Sequence, residues 1–412
     1  MLPIHRRQDL HDFVAEVMTH TYDRLLTGQR FDVGQAMLKS YLVESHPTAG
    51  GSPRSREERF QFLRDGIGPL RGVASETEDA RLFTFDIPLE GDDQEPISFV
   101  ADMEDDRYWT LHTVSSTAIA DRLVERLVTE RPFLDSAWFP GRYLTAFTRR
   151  GKLFKVSVRF NDKLLHASVP VGRYQLGIRF SDAGNAGYFE APSAQVKPPP
   201  TEEEVGQSVS LTLRDHIHLR EGLSELDGTR YLRNSINVNR AEMRYCWNGL
   251  AEEFSNARIY SWGKITGSGT SAGAHLDLLR QLRRDYRTRV ENVERRLGLR
   301  TREKRVSGQP INITFRTVPF FENFVFNLFS GSKPFRLTGT PQFRKRDYAV
   351  VAALDLHSRQ PLRFEITPSY MTVALREGSC GNSIARLYTN ILEHLDAGAV
   401  IYGGDRNARL FE

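Results

Sequence analysis

Cysteine is scarce in this chain of 412 residues, which contains only Cys246 and Cys380. Two cysteines so far apart in sequence provide neither a structural zinc site nor a disulfide framework, and the reducing cytoplasm is the expected location. Long apolar runs are also absent, because no stretch approaches the roughly 20 residues that a membrane-spanning helix needs. The N-terminal sequence MLPIHRRQDLHDFVAEV lacks the apolar block of a secretory signal. The sequence therefore predicts a cytoplasmic protein that does not enter a membrane.

The two halves of the chain differ in net charge. Residues 1–200 contain 25 Lys and Arg against 28 Asp and Glu, whereas residues 201–412 contain 31 against 24, which gives net charges of −3 and +7. Between them, APSAQVKPPPTEEEVGQS (191–208) combines three consecutive prolines, which fit neither a helix interior nor a central strand, with three glutamates. We interpret this segment as a linker between an acidic domain, 1–195, and a basic domain, 205–412. The basic half indicates either an anionic partner or a surface charge that simply differs between domains.

The spacing of apolar residues predicts an α+β fold for both domains. In the first half, a helix over residues 10–25 precedes alternating segments such as RLFTFDIPL, RYWTLHTV and KLFKVSVRF, which are typical of half-buried antiparallel strands. In the second half, a long helix is predicted from about Ala274 to Leu297, followed by the strands YAVVAALDL and LRFEIT and by a closing helix from Ser383. Each domain is expected to contain a mostly antiparallel or mixed sheet with packed helices.

A glycine-rich segment precedes the long helix. Residues 266–271 are all Gly, Ser or Thr, and GSGTSA (267–272) fits the G-x-G-x-x-[GA] pattern of dinucleotide-binding turns. A helix N-terminus offers free N–H groups to an anion. However, no second strand follows the helix, as a Rossmann unit requires, and no Gly-Lys-Ser/Thr closes the run, as a P-loop requires. We interpret the segment as a mobile loop, with contact to a nucleic-acid phosphate as the alternative.

Arginine is concentrated in the long helix. From Leu278 to Arg305 there are 11 basic and 4 acidic residues. Four arginines are expected on one flank of the helix and four more basic residues follow it: Arg280, Arg284, Arg287, Arg295, Arg300, Arg302, Lys304 and Arg305. Because a guanidinium donates paired hydrogen bonds to phosphate and keeps its charge, this flank predicts contact with the backbone of DNA or RNA. The alternative is a solvated face with i,i+4 ion pairs such as Arg287–Glu291.

The same helix has a narrow apolar seam at steps of three and four. The seam consists of Leu279, Leu282, Tyr286, Val290, Val293 and Leu297. Such a seam is also typical of a helix that pairs with a second subunit. An assembly protein is therefore a further hypothesis.

Two acidic residues fall on adjacent predicted strands in AALDLHSRQPLRFEIT. Asp355 ends the first strand and Glu365 lies within the second. Carboxylates at adjacent strand ends can hold a divalent metal that activates water against a phosphodiester. In outline this hairpin resembles that of the PD-(D/E)XK nucleases, although Thr367 stands where that family has a lysine. The resemblance implies a Mg²⁺-dependent nuclease with Asp355 and Glu365 as its catalytic residues.

Three further motifs fit a chemistry only in part. Cys380 precedes a helix, but His394, its nearest base on that helix, lies about three turns away. His216 and His218 have the strand spacing of a two-histidine metal site without a third ligand, so no metal ligand is assigned. The phenylalanines of VPFFENFVFNLFSG either stack bases or pack against a sheet.

These patterns favour a nucleic-acid-binding component whose basic C-terminal half contacts a phosphate backbone, alone or within a larger assembly. The metal-dependent nuclease and the assembly protein remain as alternatives. No cofactor is predicted apart from Mg²⁺ for the nuclease.

Overall fold

The computed structural model describes residues 2–28, 37–45, 55–89, 95–131, 134–161, 208–214, 219, 223, 236–302, 305–316, 321–403 and 409–411. Within them lie seven helices: α1 (Arg7–Leu26), α2 (Arg56–Ile67), α3 (Thr117–Glu130), α4 (Gly141–Phe147), α5 (Ala272–Leu297), α6 (Phe321–Leu328) and α7 (Asn382–His394). None of these helices is both long enough and apolar enough to cross a membrane.

The larger sheet has eleven strands: β1 (Leu38–Ser45), β2 (Val73–Glu76), β3 (Leu82–Ile87), β4 (Ile97–Asp102), β5 (Tyr108–Thr113), β6 (Leu134–Ser136), β7 (Lys152–Asn161), β8 (Ser208–Arg214), β9 (Val238–Cys246), β10 (Phe254–Tyr260) and β11 (Lys264–Gly269). Their order is β2-β3-β4-β5-β1-β11-β10-β9-β7-β8, and β6 pairs with the end of β1. All pairs are antiparallel, and every residue of the central strand β1 is buried.

The smaller sheet has six strands, and a separate hairpin is formed by β12 (Arg300–Arg302) and β13 (Arg305–Ser307). The six strands are β14 (Ile311–Thr314), β15 (Leu337–Lys345), β16 (Tyr348–Asp355), β17 (Pro361–Ile366), β18 (Tyr370–Leu375) and β19 (Val400–Tyr402). Their order is β15-β16-β17-β18-β14-β19, and all pairs are antiparallel. The predicted α+β class is therefore confirmed, with two antiparallel sheets and packed helices.

One continuous apolar core contains residues of both sheets. Ile259 of β10, Val351 of β16 and Tyr286 of α5 belong to it and are fully buried. The larger sheet also takes strands from both sides of the predicted linker, since β1–β7 precede residue 195 and β8–β11 follow residue 205. Residues 191–207 of the predicted linker lie outside the described residues, so the division into domains 1–195 and 205–412 stays a prediction.

The long helix begins where its sequence directs. The side chain of Ser271 caps α5 by accepting a hydrogen bond from the backbone N–H of Ala274 at 3.2 Å, and Gly298 follows its last residue. The helix predicted over Ala274–Leu297 is thus confirmed.

The predicted closing helix is confirmed as α7, and the phenylalanine-rich segment forms α6. Packing accounts for at least two of these aromatic side chains, since Phe324 contacts Phe315, and Phe329 contacts Phe364 of β17 edge-on.

Most of the glycine-rich segment is not the mobile loop that we expected, because residues 266–269 belong to a strand. Lys264–Gly269 form β11, are completely buried and pair with β1 and β10. The reason is close packing: a Cβ at Gly267 would lie 2.5 Å from the ring of His275 on α5. The ring occupies this position because Ser255 hydrogen-bonds its Nδ1 at 3.1 Å and Ser40 approaches its Nε2 at 3.4 Å. Position 267 therefore requires glycine because α5 packs closely against β11 there.

Candidate functional site

A cleft of about 450 Å³ opens along one side of α5. The helix forms one wall, and two turns of the first half of the chain form the other. The residues that line it are Arg81, Glu104, Asp105, Arg280, Arg283, Arg284, Arg287, Thr288 and Glu291. Five arginines and three carboxylates give this arginine cleft a net formal charge of +2.

The cleft unites three of the four arginines predicted on the flank of the helix. Arg280, Arg284 and Arg287 line it, whereas Arg295 lies farther along α5, where it is 64% exposed and 3.7 Å from Glu291. The sequence patterns did not indicate that Arg81 and Arg283 belong to the site. Helical spacing could have suggested Arg283, which adjoins the flank, but no sequence signal connects Arg81 with a helix that begins at residue 272.

Carboxylates hold two of the arginines in place. Arg283 Nη2 lies 2.6 Å from Glu104 Oε2, and Arg287 Nη1 lies 2.7 Å from Asp105 Oδ2. Arg287 Nε also donates to Glu291 at 2.6 Å, which confirms the predicted i,i+4 pair. Burial would raise the pKa of Asp105, but hydrogen bonds from two backbone N–H groups and from Arg287 hold that pKa below its usual range. Asp105 therefore stays ionised and keeps Arg287 at the wall of the cleft.

Three other guanidinium groups of the cleft retain donors for a ligand. Arg81 and Arg284 are exposed, and neither has a carboxylate partner among the residues that the structure describes. Arg81 instead donates to the backbone oxygen of Glu104 at 2.7 Å. Arg280 is also exposed, and its contact with Asp277 is long at 4.0 Å. The cleft thus combines fixed, neutralised cations with cations whose charge is uncompensated.

The basic residues that follow the helix lie in and around a short hairpin. Arg300 and Arg302 belong to β12 and Arg305 belongs to β13, so this part of the chain folds back as a hairpin. Lys304 lies outside the described residues, as do His216 and His218.

Asp355 and Glu365, the predicted nuclease residues, are not brought together. Glu365 pairs across the sheet with Val350, which precedes Asp355 by five residues on β16, so about 17 Å separates the two positions along the strand. Burial alternates along β16, with Asp355 on the inner face and Val350 on the outer face that Glu365 shares. The described part of the chain contains no group of three or more His, Cys, Asp or Glu residues that could hold a metal ion.

Asp355 has a structural environment instead. Its carboxylate accepts hydrogen bonds from Ser383 Oγ at 2.8 Å and from the backbone N–H of His357 at 2.9 Å, and it forms an ion pair with Arg386. Burial would raise the pKa of Asp355, but Arg386 and these hydrogen bonds lower it below its usual range. The ionised carboxylate therefore binds partners within the protein and is not available as a metal ligand.

The apolar seam of α5 is occupied by the chain itself. Its six residues, Leu279, Leu282, Tyr286, Val290, Val293 and Leu297, are all buried in the main core.

Cys380 is buried as well, and its Sγ donates a hydrogen bond to Glu44 at 3.0 Å. Because burial raises the pKa of this thiol, Cys380 is held in its unreactive protonated form.

Comparison with known proteins identifies a relative and a family model that match nearly the whole chain. A protein of Methanocaldococcus jannaschii, "Uncharacterized protein MJECL33", is 22% identical over 405 residues, which cover 97% of this chain and 94% of the relative. The family model described as MJECL33-like protein matches residues 1–175 and 194–410. The match includes every residue of the arginine cleft. The chain therefore belongs to the MJECL33-like protein family.

Proposed function

We propose that this protein binds DNA or RNA and holds the phosphate backbone in the arginine cleft. The observation that carries the proposal is the convergence of Arg81 with Arg280 and Arg284 of α5, since Arg81 comes from a distant part of the chain and all three guanidinium groups bring uncompensated charge to one cleft. A row of such groups on a rigid helix suits consecutive phosphates, each of which accepts paired N–H donors.

The chemistry of the wall supports a polyanion over an ordinary small molecule. Small-molecule pockets are lined mainly by apolar and aromatic side chains. Here all nine lining residues are charged or polar. Phosphate contacts of this kind fix the position of a strand without reading its sequence.

The proposal is for binding without cleavage. The pair expected to hold Mg²⁺ is split between the two faces of the smaller sheet, and Asp355 is committed to Arg386. The protein would act as a component that engages nucleic acid, in the cytoplasm, where its two free cysteines stay reduced.

Neutralising the unpaired arginines tests this proposal. The variant R81Q/R280Q/R284Q removes three charges and leaves every carboxylate of the cleft with its partner, so folding should be preserved. Binding of labelled DNA and RNA is measured by fluorescence anisotropy over a series of salt concentrations. Affinity should fall at least tenfold, and the slope of log K against log salt should flatten by roughly two units. The matched control R122Q/R346Q/R363Q removes three exposed arginines elsewhere and should bind as the wild type does.

A second variant acts in the opposite direction. Glu291→Gln removes a carboxylate that competes with phosphate for Arg287, while Asp105 keeps that arginine in place. Affinity should rise by about fivefold, the equivalent of about 1 kcal/mol for one partly screened charge. The proposal fails if folded R81Q/R280Q/R284Q binds as tightly as the wild type, or if Glu291→Gln weakens binding.

A further inference from the structure

The larger sheet has a second basic surface on the face that α5 does not cover. Helix α5 packs on one face, where Ala257 and Ile259 of β10 join Leu278 and Leu282 in the main core. Along β10 and β9 the intervening residues, Arg258 and Glu242 among them, therefore point to the other face.

Strand register assembles the charges of this second face. Lys155 of β7 lies directly opposite Arg214 of β8 and opposite Glu242 of β9, and Glu242 lies opposite Arg258 of β10. Because directly opposed residues of an antiparallel pair point to the same side, these side chains form one row across four strands, roughly 14 Å wide.

Neighbouring rows add further cations. Arg240 lies opposite Ser157, and Lys152 lies opposite Arg244. The surface, which we name the basic sheet face, contains Lys152, Lys155, Arg214, Arg240, Arg244 and Arg258, with Glu242 as the acidic residue among them. Six cations and one carboxylate leave a net formal charge of +5, which exceeds that of the arginine cleft.

The carboxylate is outnumbered at the centre of the face. Oε1 of Glu242 lies 2.7 Å from Arg258 Nε, 3.2 Å from Lys155 Nζ and 3.9 Å from Arg240 Nε. One carboxylate is therefore shared by three cations, and the side chains of Lys155, Arg240 and Arg258 each keep about a quarter of their surface exposed to solvent. The uncompensated charge would be relieved by an anionic ligand.

Aromatic rings border these cations. Tyr260 lies opposite Arg240, whose guanidinium sits 5.8 Å from the centre of the ring, and the ring of Trp262 lies 5.9 Å from that of Tyr260. Both aromatic side chains are only partly buried. Cations that track phosphates beside rings that accept unstacked bases are the features by which proteins hold single strands.

We propose that the basic sheet face binds single-stranded nucleic acid. The phosphates lie along the rows of Lys and Arg, and a base stacks at Tyr260. The site is distinct from the arginine cleft, so its existence does not depend on the function proposed for that cleft.

The test uses the variant K152Q/R214Q/R240Q. It removes three cations and leaves Lys155 and Arg258 to pair with Glu242, so no buried carboxylate is orphaned. The probe is a short fluorescein-labelled oligothymidylate, with a duplex of equal length for comparison, and a melting curve verifies folding. Affinity for the single strand should fall at least tenfold, and its salt slope should flatten by roughly two units. The control R122Q/R346Q/R363Q should bind the single strand as the wild type does.

Glu242→Gln provides an independent measurement. It removes the negative charge at the centre of the face, so single-strand affinity should increase by severalfold. The proposal is overturned if folded K152Q/R214Q/R240Q keeps wild-type affinity for the single strand, if it loses duplex binding alone, or if Glu242→Gln weakens binding. Loss of affinity in R81Q/R280Q/R284Q alone supports the cleft and rejects the sheet face, and loss in K152Q/R214Q/R240Q alone does the reverse.

Discussion

The guanidinium of Arg386 lies 2.5 Å from the carboxylate of Asp135, which joins helix α7 to strand β6 of the larger sheet. The same guanidinium forms an ion pair with Asp355 at the end of β16 in the smaller sheet. Burial would lower the pKa of Arg386, but the two carboxylates raise it above its usual value, so the group stays charged. A single buried cation therefore connects the two sheets.

Replacing Arg386 should be costly. In Arg386→Met both carboxylates lose their cation while they remain largely buried, and we expect the free energy of unfolding to fall by about 3–5 kcal/mol. Urea unfolding measures the loss. Adding Asp355→Asn to this variant removes one uncompensated charge and should recover part of it. A loss below about 1 kcal/mol for Arg386→Met would show that water reaches the carboxylates and that the ion pair is not essential.

The close contact between α5 and β11 predicts that a methyl group added at position 267 lowers the stability of the protein. In Gly267→Ala the new Cβ collides with the ring of His275, which Ser255 and Ser40 hold from two sides. We expect a loss of about 1–3 kcal/mol in thermal or urea unfolding. Gly66 in α2 provides the matched control, since its Cβ would meet Leu134 at 3.4 Å, an ordinary contact. Gly66→Ala should leave stability unchanged or slightly higher, and equal losses in the two variants would contradict the packing argument.

The buried histidines predict a loss of stability in mild acid. Burial lowers the pKa of His112 and of His275 to about 3, whereas an unfolded histidine titrates near 6.5. As the pH falls from about 6.5 to 3, these two histidines bind protons in the unfolded chain but stay neutral in the folded chain. Their contribution to the free energy of unfolding is therefore complete above about pH 6.5 and is lost as the pH falls from about 6.5 to 3.

The variant His112→Asn isolates one of these groups. At about pH 5 each histidine should have cost on the order of 2 kcal/mol relative to neutral pH. The amide that replaces the imidazole cannot titrate, so the drop in unfolding free energy between neutral pH and pH 5 should be smaller in the variant by about that amount. The absolute stability of the variant does not enter the comparison. An identical drop in both proteins would mean that His112 is protonated in the folded state.

Cleavage of the chain tests the predicted domain boundary. A specific protease site placed at Pro198–Pro200 would separate β7 from β8 and β9, which pair with it in the larger sheet. Because these pairs and the shared core hold the two pieces together, we expect them to co-elute in size-exclusion chromatography and to separate only in denaturant. Two fragments that separate and fold on their own would establish independent domains.

Local patterns in the sequence were enough to predict several elements of the fold, although not β11, and they did not predict the contacts between elements. The seam from Leu279 to Leu297 and the alternation in β16 have clear periods, so the helix and the strand could be predicted. Asp105, which holds Arg287, is 182 residues away in sequence, and no periodic signal connects them.

Register accounts for most of what was missed at the candidate sites. Asp355 and Glu365 lie on neighbouring strands as expected, but their separation depends on a pairing that the sequence does not specify. The basic sheet face was overlooked for the same reason. Its six cations are spread over four strands, one or two to a strand, and only the pairing of those strands brings them together.

The position of β1 in the middle of the larger sheet has a consequence for the synthesis of the protein. Leu38 to Tyr41 pair with β11, which emerges from the ribosome only after more than half of the chain has followed β1. At about 5–20 residues per second, the nascent chain exposes an open strand edge for many seconds. Until β11 is translated and covers it, such an edge can pair with a neighbouring chain.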